Sequence, residues 1–104
     1  MKTLELTLIA IGLVVLTQAR AGEELMEKGG CVACHRVDEK LIGPPYKAVA
    51  AKYRSNKAEA LAYLLTKVRE GGEGVWGDIP MPANGIEKID DTDLKSLLEW
   101  ILAL

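Results

Sequence analysis

The feature that most constrains this chain is the five-residue run from Cys31 to His35, with the sequence CVACH. It contains both cysteines and the only histidine of the 104 residues. Cys-x-x-Cys-His is the spacing at which proteins attach a c-type haem. Residues three and four apart in a helical turn project from one side, so Cys31, Cys34 and His35 can face one surface. Two thiols can then bond to the haem covalently while the imidazole reaches its iron.

Three other uses of these side chains stay open from the motif alone. A redox-active Cys-x-x-Cys pair would exchange disulfides, but it usually lies in a βαβ context, and the sequence has no strand-rich segment. A zinc site normally takes four ligands, whereas the motif supplies three. A structural disulfide between Cys31 and Cys34 is the simplest alternative.

The first 21 residues have the pattern of a secretory signal peptide. Lys2 gives a positive start, residues 6–16 are mostly apolar, and residues 19–21 fit a small-x-small cleavage site. The apolar run is shorter than the roughly 20 residues that a transmembrane helix needs. We therefore predict a cleaved signal peptide over residues 1–21 and an exported mature domain over residues 22–104. An uncleaved membrane anchor is the alternative.

The mature chain is small and mildly acidic. Without Lys2, Arg20 and Glu5 it carries 11 basic and 14 acidic side chains, a formal net charge of −3. This balance argues against nucleic acid, whose binding needs a basic patch. A single domain of this size buries only a marginal core. A large flat haem would compensate by acting as part of the core.

The apolar pattern predicts an all-α domain of four short helices. We place the first two over residues 23–28 and 46–53, the third up to about residue 70, and the last after Asp90, which serves as its N-cap. The third helix is expected to be capped by Ser55 or Asn56 and ended by the glycines that follow residue 70. The predicted inward faces hold Ala58, Leu61, Ala62, Leu65 and Val68 in the third helix and Leu94, Leu97, Leu98, Ile101 and Leu102 in the last.

Residues 71–89 are rich in glycine and proline and are predicted to be irregular but functional. Within them, Met81 is the candidate for a second iron ligand. Met26 lies too near Cys31 to reach the opposite haem face, whereas Met81 is 50 residues further on and lies between Pro80 and Pro82. Histidine–methionine ligation raises the haem potential and suits an electron carrier. A role for Met81 in core packing, or a lysine as the ligand, is the alternative.

The mature chain resembles the short class I cytochromes c of bacteria, soluble monohaem electron carriers that include the denitrifier type. The resemblance covers residues 22–104. It implies the class I cytochrome c fold, with four short helices around one haem bound by thioether links to Cys31 and Cys34, and iron held by His35 and Met81. The matching segments are CVACH at 31–35, GPPY at 43–46, VAAKY at 49–53, GGEGVWG at 71–77, IPMP at 79–82 and WIL at 100–102.

The same resemblance implies further cofactor-binding residues. Pro44 falls where the family's proline carbonyl accepts a hydrogen bond from the haem-binding histidine, and Trp76 where a tryptophan contacts a haem propionate. Lys67 falls where many members have an arginine for the propionates, which keeps the charge but not the planar fork. Asn84 falls on the asparagine that steadies the methionine sulfur. Ala83 replaces a second proline common in the family. Core packing for Trp76 and a solvated charge for Lys67 are the alternatives.

The function that the resemblance implies is electron transfer in the periplasm, without catalysis. The expected partners are redox proteins: a cytochrome bc-type donor and a terminal oxidase, nitrite reductase or peroxidase as acceptor. We expect a monomer that binds neither nucleic acid nor, in its mature form, membrane. The competing functions are a five-coordinate haem protein that binds a gas or peroxide and a thiol–disulfide module without haem.

A docking surface is predicted where the haem edge meets Val32, Ile42 and Pro82. Nearby lysines would steer an acidic partner to that edge. The lysines in this hypothesis are Lys28, Lys40 and Lys47.

Overall fold

The computed structural model describes residues 21–104, and four α-helices lie within this range. Helix α1 runs from residue 21, where the described chain begins, to residue 28, and the others are α2 (Tyr46–Tyr53), α3 (Lys57–Glu70) and α4 (Asp91–Leu102). The predicted signal peptide lies outside the described residues except for Ala21. Among residues 21–104, every helix is too short or too polar to cross a membrane.

The helix ends follow from side chains that the sequence identifies. Asn56 Oδ1 accepts a hydrogen bond from the Glu59 amide at 3.3 Å and caps α3. Asp90 Oδ1 accepts one from the Asp93 amide at 2.8 Å and caps α4. Such caps satisfy amides that have no partner within the helix, and aspartate also suits its positive end. Gly71 ends α3 with φ of 73°, a conformation that other residues rarely adopt.

Helix α4 is the centre of the core and packs against both α2 and α3. Its predicted inward face is buried throughout, as the helical spacing requires. Helix α1 approaches α4 closely, because a Cβ atom on Gly22 would lie 2.1 Å from the Trp100 ring. The buried apolar residues are Met26, Tyr46, Val49, Ala50, Ala60, Leu64, Ile89, Leu94, Leu97, Leu98, Ile101 and Leu102.

The predicted inward face of α3 is partly wrong. Ala58 and Ala62 are exposed, whereas Ala60 and Leu64 are buried. The helix is rotated because its inner side borders a cavity as well as the core. Tyr63, Leu64, Lys67 and Val68 line that cavity, while Leu61, Leu65 and Val68 pack at the margin of the core.

The expectation that the chain has no strands is also wrong. Strands β1 (Gly72–Gly74) and β2 (Gly77–Met81) form an antiparallel hairpin with Gly72 opposite Met81 and Gly74 opposite Gly77. Glycine and proline are poor strand formers, so the composition of this segment did not predict a hairpin. Pro80 is tolerated because a two-stranded sheet has only edge strands. The hairpin leads the chain directly to Met81.

Candidate functional site

The candidate site is a large apolar cavity between the CVACH segment, helices α2 to α4 and the hairpin. Its volume is about 1170 Å³, including the part open to solvent. Cys31, Cys34, His35 and Met81 all line it, so residues 50 positions apart meet at one site. The inner wall belongs to the core, and the outer wall belongs to the hairpin. The inner wall contains Val49, Leu64, Leu94, Leu97, Leu98 and Ile101, and the outer wall contains Val75, Trp76, Ile79 and Pro80.

The CVACH segment forms the helical turn that its spacing predicts. Residues Cys31–Ala33 are a short 3-10 helix, and the His35 amide donates to the Cys31 carbonyl at 2.9 Å. Both cysteines are half-buried free thiols. The turn therefore directs two thiols and one imidazole into the same apolar cavity.

His35 is held by contacts on several sides and is only 8% exposed. Its Nδ1 atom lies 2.9 Å from the Pro44 carbonyl oxygen, and its ring stacks on Tyr46 with centroids 5.0 Å apart. A carbonyl accepts only, so Nδ1 carries the proton and Nε2 keeps its lone pair for a metal. Gly43 passes so close that a Cβ atom there would lie 2.4 Å from His35 Cε1. The predicted contact between His35 and Pro44 is thus present.

The state of the thiols bears on the alternative of disulfide exchange. Burial raises the pKa of the Cys31 thiol, and the Tyr46 hydroxyl beside it offsets this only in part. A catalytic thiol of that class needs a lowered pKa because the thiolate is the nucleophile. The environment of Cys31 therefore does not favour disulfide-exchange chemistry.

Met81, which also lines the cavity, is half-buried at the end of β2. Met26, in contrast, is 4% exposed within the helical core and is not among the residues that line the cavity. The structure thus separates the two methionines of the mature chain as the sequence argument requires. A buried imidazole and a thioether facing one apolar space, with two thiols beside them, fit a haem.

Three more predicted residues line the cavity, and one does not. Pro44, Lys67 and Trp76 belong to its wall. Asn84 lies outside the lining of the described chain, and its side-chain amide donates to the Pro82 carbonyl at 2.9 Å. Asn84 therefore contacts the backbone that carries Met81.

Sequence reasoning missed an aromatic and cationic cluster formed by α2, α3 and the Trp76 ring of the hairpin. The Lys52 Nζ atom lies 5.9 Å from the centroid of the Trp76 ring, and the Lys67 Nζ atom lies 5.7 Å from that of Tyr63. Tyr53 and Tyr63 meet at 5.5 Å between their ring centroids. Lys52 and Tyr53 belong to the VAAKY segment, but only the fold brings Lys52 to Trp76 and Tyr53 to Tyr63.

Two of the three lysines predicted to steer a partner form ion pairs with aspartates of this chain. Lys28 Nζ lies 2.5 Å from an Asp93 carboxylate oxygen, and Lys47 Nζ lies 2.5 Å from one of Asp38. Within residues 21–104, Lys40 has no such ion pair. All three apolar residues proposed for this surface are exposed, namely Val32, Ile42 and Pro82.

The chain is similar to several known proteins over most of its length. The family model described as Cytochrome c matches residues 19–104. Cytochrome c-552 of Nitrosomonas europaea is 46% identical over 94% of this chain and 92% of its own length. Cytochrome c-551 of Pseudomonas aeruginosa is 42% identical over 94% of this chain and 92% of its own length. The crystal structure of wild-type Nitrosomonas europaea cytochrome c552 matches with a TM-score of 0.72, at 46% identity, over 79% of this chain and 98% of that one.

Proposed function

This chain belongs to the cytochrome c family as a small monohaem electron-carrier cytochrome of class I, and we propose that it shuttles single electrons between redox proteins in the periplasm. Family membership confirms the predicted fold class and the predicted cofactor, one covalently bound haem c with thioether links to Cys31 and Cys34. We further propose a cytochrome bc-type donor and a terminal oxidase, nitrite reductase or peroxidase as acceptor.

The observation that supports this proposal most strongly is that His35 and Met81 border the same apolar cavity. The haem iron supplies a centre that takes up and releases one electron. In the proposed site His35 would supply Nε2 as one ligand of the iron, and the Pro44 carbonyl fixes the orientation of its ring. Met81 would supply its sulfur as the second ligand. Two protein ligands leave no open coordination position, so we propose a carrier without catalytic activity.

The surrounding residues hold these ligands and keep water away. The buried side chains of α4 exclude solvent from one side of the cavity, and the hairpin covers the other. Lys67 and Trp76, which both line the cavity, are proposed to bind the haem propionates through a charge and an indole N–H. Asn84 is proposed to act on Met81 through the backbone of residues 80–84. The lowered polarity around the iron is one of the factors that tune its potential.

A spectroscopic experiment on the exported holoprotein tests the ligand assignment. We expect haem bands that survive acid–acetone extraction, because thioether bonds resist it. The oxidised protein should show a weak far-red band from sulfur bonded to iron, and Met81→Ala should abolish that band. Met26→Ala is the matched control and should keep the band, since Met26 lies in the helical core.

The same preparation distinguishes the proposal from its alternatives, and it also tests the predicted cleavage, location and oligomeric state. A high-spin oxidised spectrum in the unsubstituted protein would instead support a five-coordinate haem that binds gas or peroxide. The intact mass should equal that of residues 22–104 plus one haem; a mass that includes residues 1–21 would contradict signal-peptide cleavage. The periplasmic fraction should contain this species, and gel filtration should give a monomer.

A further inference from the structure

The end of β2 and the residues that follow it lie against the end of α3. We call residues 80–84, which carry Met81, the methionine segment. The Val68 carbonyl accepts hydrogen bonds from both the backbone amide of Asn84 at 2.9 Å and its side-chain amide at 3.4 Å. A Cβ atom on Gly71 would lie 2.3 Å from the Met81 carbonyl oxygen. The methionine segment therefore contacts α3 directly, without intervening side chains.

One long side chain adds a third element to this contact. Arg69 Nη1 donates to the Asn84 carbonyl at 3.2 Å, and Arg69 Nη2 donates to an Asp91 carboxylate oxygen at 2.7 Å. The guanidinium thus joins α3, the methionine segment and the first residue of α4. Arginine suits this position because its planar fork can serve two acceptors at once.

The two hydrogen bonds of Arg69 differ in their surroundings. The Arg69 side chain is 22% exposed and that of Asp91 is 85% exposed, so water and salt screen their ion pair. The bond to the Asn84 carbonyl involves a charged donor, and such bonds stabilise a structure more than neutral ones. The contact with the methionine segment is therefore expected to have the larger effect.

We propose that Arg69 is a positioning residue for Met81: by holding the Asn84 carbonyl, it limits how often the methionine segment moves away from the cavity. This inference rests on the proposed ligation by Met81. Loss of the guanidinium would let the segment detach more often while the core around α4 stays intact. An external ligand would then reach the position of the Met81 sulfur sooner.

The test is cyanide binding to the oxidised holoprotein, followed by the loss of the far-red band. We expect Arg69→Met to bind cyanide about tenfold faster, as loss of a charge-assisted hydrogen bond predicts. Arg69→Lys should restore most of the slow binding, because an ammonium group can still donate to the carbonyl. Asp91→Asn should change the rate less than about threefold, since it removes only the exposed pair.

Lys95→Met is the matched control, because Lys95 borders the same groove between α3 and α4 as Arg69. It should leave the cyanide rate within about twofold of the unsubstituted protein, in line with an exposed charge. An unchanged rate in Arg69→Met, or an equal increase in Lys95→Met, would overturn the proposal.

Amide hydrogen exchange distinguishes failure of this inference from failure of the ligand assignment. In Arg69→Met the amides of Met81 and Asn84 should exchange about tenfold faster, while those of the α4 interior change less. If the far-red band is absent from the unsubstituted protein, ligation by Met81 is refuted, yet the exchange at these amides still tests the Arg69 contact. Equal acceleration in α4 would mean general destabilisation and would refute a positioning role.

Discussion

Gly43→Ala tests how closely the backbone is fitted around His35. A Cβ atom on residue 43 would lie 2.4 Å from His35 Cε1, 2.8 Å from Nδ1 and 2.9 Å from Nε2. The shortest of these is about 1 Å inside ordinary van der Waals contact. The methyl group therefore cannot be accommodated by a small rotation, and either the imidazole or the chain at residue 43 must move.

Both responses break a hydrogen bond that the structure shows. If the ring moves, Nδ1 leaves the Pro44 carbonyl, now 2.9 Å away. If the chain moves, the Gly43 amide leaves the Cys34 carbonyl, now 2.8 Å away. Overpacking a tight site costs about 1–3 kcal/mol, and a lost hydrogen bond adds about 1 kcal/mol. We expect the free energy of unfolding of the holoprotein to fall by about 2–4 kcal/mol.

Guanidinium unfolding of the holoprotein, followed by circular dichroism, measures this change. Gly30→Ala is the control: Gly30 precedes the same motif and has φ of 73°, but a Cβ atom there would have no neighbour within 4 Å. It should cost only the conformational strain, about 1–2 kcal/mol. Gly43→Ala should also shift the reduction potential, because the Pro44 bond raises the basicity of the imidazole. A potential equal to that of Gly30→Ala, with equal stability, would refute the close fit.

Two further predictions concern the surface. Asp90→Ala removes the N-cap of α4 and should lower the free energy of unfolding by about 1 kcal/mol. Asp90→Asn should keep most of the stability of the unsubstituted protein, because asparagine can also cap a helix. Equal losses of stability in the two denaturation curves would contradict the capping role. Lys40→Gln should slow oxidation of the reduced holoprotein by ferricyanide, an anion, at low ionic strength only. The charge-neutral double substitution Asp38→Asn with Lys47→Gln should leave that rate unchanged, and a larger effect of the double substitution would refute steering by unpaired charge.

The helices could be predicted from the sequence because local signals and the apolar pattern agree there. The second helix was expected over residues 46–53 and forms there, directly after the Pro44–Pro45 pair. Asn56 and Asp90 both serve as the caps that their residue types favour. These signals act over one turn of helix, so they need no knowledge of the remaining chain.

The hairpin could not be predicted because its usual signals are missing. Its two-residue turn is Val75–Trp76, not the asparagine–glycine type that favours tight hairpins. Positive φ angles occur only beside the turn, at Gly74 with 112° and Gly77 with 117°, and not at its two central residues. The strands themselves are almost entirely exposed. Alternation of buried and exposed residues, on which strand prediction depends, is therefore absent.

The site could be predicted only in part, because some of its residues are placed by local spacing and others by distant contacts. The spacing of Cys31, Cys34 and His35 defines their geometry locally, whereas the position of Met81 depends on contacts across the fold. Its assignment from sequence relied on elimination, and its ligand role stays a prediction. The proposed role of Arg69 could not be predicted from the sequence, because a lysine or arginine at the end of a helix is usually explained by the helix dipole.

His35 and Met81 are held by contacts of different kinds. His35 is buried, stacked on Tyr46 and fixed by Pro44, all within the packed part of the domain. Met81 is the last residue of an exposed hairpin, and the chain just after it accepts a hydrogen bond from Arg69 at the Asn84 carbonyl. Local opening begins where few apolar contacts are buried and hydrogen bonds are exposed to solvent. If both residues bind the iron as proposed, the methionine side should therefore detach first, well before the histidine side or the core does.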